Sequence, residues 1–418
     1  MDAAPIPDAA VLVDATGHIA AIGPSRDVPA PQGIEQLDLG PAVLLPGLIN
    51  THTHLELTGF EDAAPEAGFP EWIRRIRAIK AARTPEEYLA AARRGIAECW
   101  AAGVTTIAET GDTGAVFAAL IEMGASGIVY QEVFGPHPAQ CEESMAGLRA
   151  QVGSMRARAT GRVRVGVSPH APYTVSGPLY QAVAGWAREE RLPIAVHLAE
   201  SRAETELVTG GAGAFAVAWR ARGIPLPAEA GIGDFRSPVA YLDSLGVLGP
   251  ETLCIHTVQI DASDVDCLAA RAVAVAHCPL SNRRHGHGDA PLAALHRAGV
   301  RIGAGTDSVA SVGRLDLLAE ARAARELAGL SAAQALGLVT VGAARALGLE
   351  AETGTLTPGK WADVVALEVG RPGRDGPEEA VLGASPADTM LTMSGGTVVY
   401  RRGPTSPAAD LIPPAVSR

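Results

Sequence analysis

The chain has 418 residues, 47% of them apolar and 19% charged, with a formal net charge of −12. Such a balance suits a soluble globular protein with a sizeable core, in one large domain plus a small one or in two to three ordinary domains, and it lacks the basic surface that nucleic-acid backbones require. There is no basic start with an apolar stretch and no run as long as a membrane span, and the five cysteines form no C-x-x-C pair, so the expectation is a cytoplasmic protein with reduced thiols that binds neither nucleic acid nor membrane.

In chain order, Ala10–Val13 and Ile19–Gly23 read as short strands about a turn at Gly17. Eight apolar runs then alternate with helix-like stretches. The strands are expected at 43–50, 104–108, 127–133, 163–168, 193–198, 252–256, 272–277 and 300–305. Segments such as 71–82, 86–101, 143–158, 178–190, 261–270, 290–298 and 314–327 supply the helices between them. Segment 209–235, rich in Gly and Ala, reads as an insertion after the fifth strand. The tail returns to strand texture at 354–356, 362–367 and 396–400.

Short buried strands alternating with helices mark a parallel sheet, and eight of them fit a closed barrel better than an open sheet. No G-x-G-x-x-G follows the first strand, which argues against a doubly wound dinucleotide fold. The expected fold class is therefore α/β: a (β/α)8 TIM-type barrel over 43–352, with a small β-sandwich domain built from both termini, 1–42 plus 353–418.

In such a barrel the reacting groups sit at the C-terminal ends of the strands. His52 and His54 end the first strand two residues apart, so both imidazoles leave it on the same face. His197 ends the fifth strand, His256 the sixth, and Asp307 follows the eighth. Each alone has a bland reading as a packed histidine or a capping aspartate. Five metal-competent groups at one rim point instead to a divalent cation, with Zn2+ preferred and Fe2+ the alternative, one per chain. A cation so held acidifies a water towards neutral pH. Glu200, three residues past His197, is placed to carry a proton without ligating.

The motifs Pro46-Gly47-Leu48-Ile49-Asn50-Thr51-His52-Thr53-His54, His197 with Glu200, His256, His277-Cys278-Pro279-Leu280-Ser281-Asn282, Gly305-Thr306-Asp307 and the closing Gly359-Lys360-Trp361-Ala362-Asp363 resemble the amidohydrolase superfamily over nearly the whole chain. The likeness is to its mononuclear deaminase and chlorohydrolase branch. It implies metal ligation by His52, His54, His197 and Asp307. By the same resemblance His256 orients the water or the tetrahedral oxygen, Glu200 shuttles protons, and Asp307 passes a proton to departing ammonia. Lys80 and Lys360 are the only lysines, so no mid-barrel lysine can bridge two metals as in binuclear relatives. His54-Leu55-Glu56 matches half of a cytidine-deaminase signature, but P-C-x-x-C is absent.

For the substrate, the resemblance points to a purine nucleoside. Glu56 is expected in the pocket wall against the base, together with Ser281 and Asn282. His170 and Glu109 are expected at sugar hydroxyls. The pattern is most similar to aminodeoxyfutalosine deaminases of menaquinone biosynthesis, whose substrate carries a benzoate; Arg283 and Arg284 are the cations expected to meet it. The alternatives are deamination of S-adenosylhomocysteine, adenosine or guanine, hydrolytic dechlorination, and a catalytically silent barrel that only binds. Retention of all five rim groups and Glu200 speaks against the last. A homo-oligomer stays open. His285 and His287 read as polar loop residues, as does His137, while His18 and His296 are given no role.

Overall fold

The computed structural model describes residues 4–61, 63, 68–227, 235–370 and 376–403. Fourteen strands form three sheets among the described residues. Strands β1 (Ala9–Val13) and β2 (Ile19–Pro24) make an antiparallel hairpin, and β3 is Val43–Pro46. Then come β4 (Leu48–Thr53), β5 (Val104–Gly111), β6 (Ser126–Val133), β7 (Val163–Pro169), β8 (Ile194–Leu198), β9 (Thr252–His256), β10 (Ala274–His277) and β11 (Arg301–Ala304). These eight pair in sequential order as one parallel sheet. Strands β12 (Val364–Leu367), β13 (Thr389–Ser394) and β14 (Thr397–Arg401) form the third sheet with β3.

The eight-stranded sheet closes at its C-terminal rim, where Thr53 bridges Asp307 and the Asp307 N–H donates to the His52 carbonyl at 3.0 Å. Closure depends on Gly305. A β-carbon there would lie 2.7 Å from the His52 nitrogen and 2.8 Å from its Cβ, closer than real side chains approach. Inside the barrel Ile49, Ala108, Ile128, Tyr130, Ala195, Leu253, Ile255, Ala274 and Ala276 pack together; a larger apolar layer separates strands from outer helices. The interior is thus filled, and chemistry is left to the rim.

The run 43–50 is one continuous apolar stretch in sequence but two strands in space. Val43–Pro46 pairs antiparallel with β12 in the terminal sheet, and only Leu48 onward enters the barrel. Gly47 makes the switch: its N–H bonds the Asp363 carbonyl, and a β-carbon there would collide with Thr105. The expected single strand 43–50 is thus divided between the terminal sheet and the barrel at this glycine.

The closing Lys360–Asp363 stretch ties the parts together. Asp363 accepts from Arg162 at 2.7 Å, from the Gly395 N–H at 2.8 Å and from the Thr353 hydroxyl at 3.0 Å. Arg162 also lies over the Trp361 ring, which stacks on His18 at 4.0 Å. The expected insertion at 209–235 supplies the helix Gly213–Ala221, while 228–234 lies outside the described residues. Phe215 and Trp219 of that helix pack with Tyr173 and Phe69 over the rim. All five cysteines are free thiols, and no helix among the described residues is long and apolar enough to cross a membrane.

Candidate active site

Three strand ends bring four side chains to one point. His52 and His54 leave β4 on the same face, and their rings sit 4.7 Å apart, edge to face. His197, on β8, turns its Nε2 to within 3.3 Å of the His54 Nε2. Asp307, after β11, places Oδ1 3.7 Å from the Nε2 of both His52 and His54. Two ring nitrogens facing each other at that distance have no hydrogen bond to make unless one holds a proton.

Neighbouring groups set the tautomers. The Thr110 hydroxyl lies 3.5 and 3.4 Å from the Nδ1 atoms of His52 and His54, and the His170 carbonyl lies 3.2 Å from the His197 Nδ1. With the protons on Nδ1, all three Nε2 lone pairs point inwards. Burial lowers all three imidazoles, His197 to about 3, so they are neutral at neutral pH. The His52 Nε2 is buried with no partner among the described residues. Three convergent neutral imidazoles, one of them with its Nε2 orphaned, and the Asp307 carboxylate are the donor set of a divalent cation. Burial raises Asp307, but His54, His256 and the Ser281 hydroxyl at 2.6 Å more than offset it and keep it ionised.

Strain gathers at this rim. His256 has φ +70°, Asp307 +60°, Ala199 +50° and Thr257 +49°, conformations that non-glycine residues rarely hold unless their surroundings impose them. Here the surroundings are explicit. The buried Glu204 carboxylate accepts from the Ala199 N–H at 2.7 Å and the Glu200 N–H at 3.0 Å, fixing the turn that presents Glu200. Burial pushes Glu204 up to about 8 despite those two donors. Asn282 Oδ1 lies 3.0 Å from the His256 Nδ1 and orients that ring.

Glu200 is itself buried. Its Oε1 is 3.5 Å from the His256 Nε2 and 3.3 Å from the His287 Nε2, and the Tyr173 hydroxyl reaches Oε2 at 3.4 Å. Burial would raise its pKa, but His256 and His287 prevail and hold it well below the usual carboxylate range. A carboxylate beside two imidazoles and within reach of the cation site can take up and return a proton.

The structure places the expected pocket residues unequally. Ser281 and Asn282 face the site through Asp307 and His256. Glu56 is buried beside it, paired with Lys80 and the Thr113 hydroxyl at 2.7 Å; Lys80 also bonds Asp112 at 2.7 Å. Glu109, expected at a sugar hydroxyl, is a correction. Its two oxygens accept from the Leu55 N–H at 2.9 and 3.0 Å and from the Thr53 hydroxyl at 2.6 Å, so it braces the His52–His54 segment. Arg283 and Arg284 are a second correction. Both are exposed, and Arg283 turns outward to Glu326 at 3.4 Å and Asp289 at 4.0 Å. The short helix Pro279–Arg284 presents Ser281 and Asn282 inward and therefore the next two residues outward.

His287 corrects the reading of its loop. It is 5% exposed, touches Glu200 and packs edge-on against Phe69 at 4.4 Å. His285 is half-buried against Trp72 and bonds the Ser311 hydroxyl at 3.1 Å. Glu132, not singled out in the sequence, lies buried at the end of β6 with Oε1 3.9 Å from the His170 Nε2. A carboxylate at the C-terminal end of an otherwise apolar barrel strand was the available signal.

Residues 43–399 match the model of the amidohydrolase family. A 5-methylthioadenosine/S-adenosylhomocysteine deaminase of Symbiobacterium thermophilum is 30% identical over 93% of this chain and 88% of its own. A 5'-deoxyadenosine deaminase of Methanothermobacter thermautotrophicus is 32% identical over 86% of this chain and 82% of its own. Among solved structures, a zinc-bound adenosine deaminase from Xanthomonas campestris superposes with a TM-score of 0.82 at 27% identity, covering 94% of this chain and 88% of that one.

Proposed function

The chain belongs to the amidohydrolase family and is a hydrolase of C–N bonds other than peptide bonds, and from that premise we propose that it deaminates the 6-amino group of an adenine nucleoside using one zinc ion. The observation that carries the proposal is the convergence of His52, His54, His197 and Asp307 beside a Glu200–His256 pair on one buried rim. A cation held by those four residues would supply an acidified water.

The chain's own groups do the rest. Glu200 takes a proton from the water and gives it to the ring nitrogen next to the reacting carbon, which is what a buried carboxylate ionised at neutral pH can do. His256, oriented by Asn282, faces the oxygen that becomes the product carbonyl. Asp307 takes the second proton, with Ser281 holding its other oxygen, and passes it to the leaving amine. Water enters and ammonia leaves. Tyr173, Phe69 and Phe215 cover the rim and exclude bulk water.

The Symbiobacterium and Methanothermobacter relatives are named for adenine nucleosides altered at the 5' carbon, and that class is the substrate proposed here. Aminodeoxyfutalosine belongs to the same chemical class, but the outward Arg283 and Arg284 give its benzoate no cation from that pair. Steady-state kinetics on 5'-deoxyadenosine, 5'-methylthioadenosine, S-adenosylhomocysteine, adenosine, aminodeoxyfutalosine and guanine decide among them. A 5'-modified adenosine with the highest kcat/KM supports the reading. Guanine as the best substrate overturns it.

A further inference from the structure

Glu132 and His170 form a polar pair at the same rim but outside the metal cluster. Glu132 is the penultimate residue of β6, with its side chain 4% exposed, and its Oε1 has no hydrogen-bond partner among the described residues. His170 follows β7. Its Nδ1 is 2.8 Å from the Thr174 hydroxyl, whose own proton goes to the Ala171 carbonyl at 3.1 Å, so that hydroxyl accepts from Nδ1–H. The His170 Nε2 is then left as an acceptor, 3.9 Å from the Glu132 Oε1.

A buried carboxyl oxygen and a half-buried imidazole nitrogen at that spacing ask for two donors on adjacent atoms. A cation is the poorer fit, because the third candidate ligand, His197, has its Nδ1 on the His170 carbonyl and its Nε2 turned to His54. The pair lies one imidazole beyond the metal ligands, with the His170 and His197 rings 4.6 Å apart, where a substituent on a base held at the cation must pass. Phe134 flanks His170 at 5.0 Å and gives the apolar side of such a pocket.

We propose that Glu132, with His170, reads the vicinal diol of the substrate's ribose, each accepting one O–H, and is a specificity-determining residue of this enzyme. A nucleoside at the metal centre, as proposed above, is presupposed. A buried acceptor left unpaired by a missing hydroxyl costs enough to lower kcat/KM by about 10- to 100-fold.

The experiment compares adenosine, 2'-deoxyadenosine and 3'-deoxyadenosine with the zinc-loaded wild type and the isosteric Glu132→Gln, with zinc content and thermal melting measured on both. The expected result is that the wild type prefers adenosine by about 10- to 100-fold over each deoxynucleoside, and that the variant loses most of this preference against the one lacking the hydroxyl that Glu132 reads while keeping it against the other. Equal wild-type rates on all three nucleosides overturn the diol assignment and leave the deaminase reading standing. An equal fall on all three in the variant assigns Glu132 a structural role and also overturns it. A second zinc equivalent in the wild type that disappears in Glu132→Gln replaces the diol by a metal. Absence of ammonia from any aminopurine defeats the deaminase reading itself, and the diol assignment with it.

Discussion

Glu204 offers a sharp test of how the proton carrier is held. It touches none of the proposed metal ligands, and its two oxygens accept the N–H groups of Ala199 and of the proton carrier Glu200 at 2.7 and 3.0 Å. In Glu204→Gln the side chain keeps its shape, but an amide nitrogen replaces one acceptor and meets a backbone N–H donor. A buried N–H left without an acceptor costs about 1–3 kcal/mol. The left-handed Ala199 at φ +50° stores strain of similar size, about 1–3 kcal/mol, which the clamp now holds in check. With the clamp halved, the turn can relax and carry Glu200 out of register. A loss of about 1.4–2.8 kcal/mol in the productive arrangement lowers kcat about 10- to 100-fold. Zinc content should stay that of the wild type, because His197 is fixed separately through the His170 carbonyl at 3.2 Å. The assay is coupled ammonia release with metal analysis of the same samples. A kcat within twofold of wild type, or loss of zinc in parallel with activity, refutes the reasoning.

Three further outcomes follow from the same geometry. Thr110→Val removes the hydroxyl shared by the Nδ1 atoms of His52 and His54, and zinc affinity should fall about 10- to 100-fold in competition with a chelator; unchanged affinity would deny Thr110 that role. Gly305→Ala forces a β-carbon against the His52 backbone at 2.7 Å, so zinc binding and activity should be lost together while the far-UV circular dichroism stays barrel-like; an active, zinc-loaded variant would show the rim closing without that glycine. Burial depresses His277 from 6.5 to about 4, so the fold prefers its neutral form. As pH falls below 6.5 the unfolded chain takes up the proton first, and the zinc-free protein should lose about 2 kcal/mol of stability from this residue between pH 6.5 and pH 5. Urea unfolding of His277→Asn should show a correspondingly smaller drop, and an equal drop in both proteins contradicts the assignment.

The rim was legible because strand ends carry their chemistry in a local pattern. His52-Thr53-His54 needs only the two-residue strand period, and His197, His256 and Asp307 each close an apolar run. Eight such runs alternating with helices were enough for the barrel. Register and direction were less accessible. The run 43–50 is uniformly apolar, so nothing in its periodicity separates the half that pairs with β12 from the half that enters the barrel; only Pro46-Gly47 marks the break. Arg283 and Arg284 follow two inward residues on a short helix, and which side they take depends on one turn of rotation. His287 owes its place to Phe69, a contact between distant segments that no local pattern announces. Glu109 looked like a free rim carboxylate because its partners, Thr53 and Leu55, belong to a neighbouring strand end.

The central claim is that one cation and one buried carboxylate perform a hydrolytic deamination. The most direct measurement is ammonia release from a 5'-modified adenosine by wild-type protein and Glu200→Gln, each loaded with one equivalent of zinc. The expected result is stoichiometric ammonia and the hypoxanthine nucleoside from the wild type, loss upon chelation, and a near-silent variant that retains its zinc. Turnover by Glu200→Gln comparable to wild type, or a zinc-loaded wild type that releases no ammonia from any aminopurine nucleoside, would contradict it.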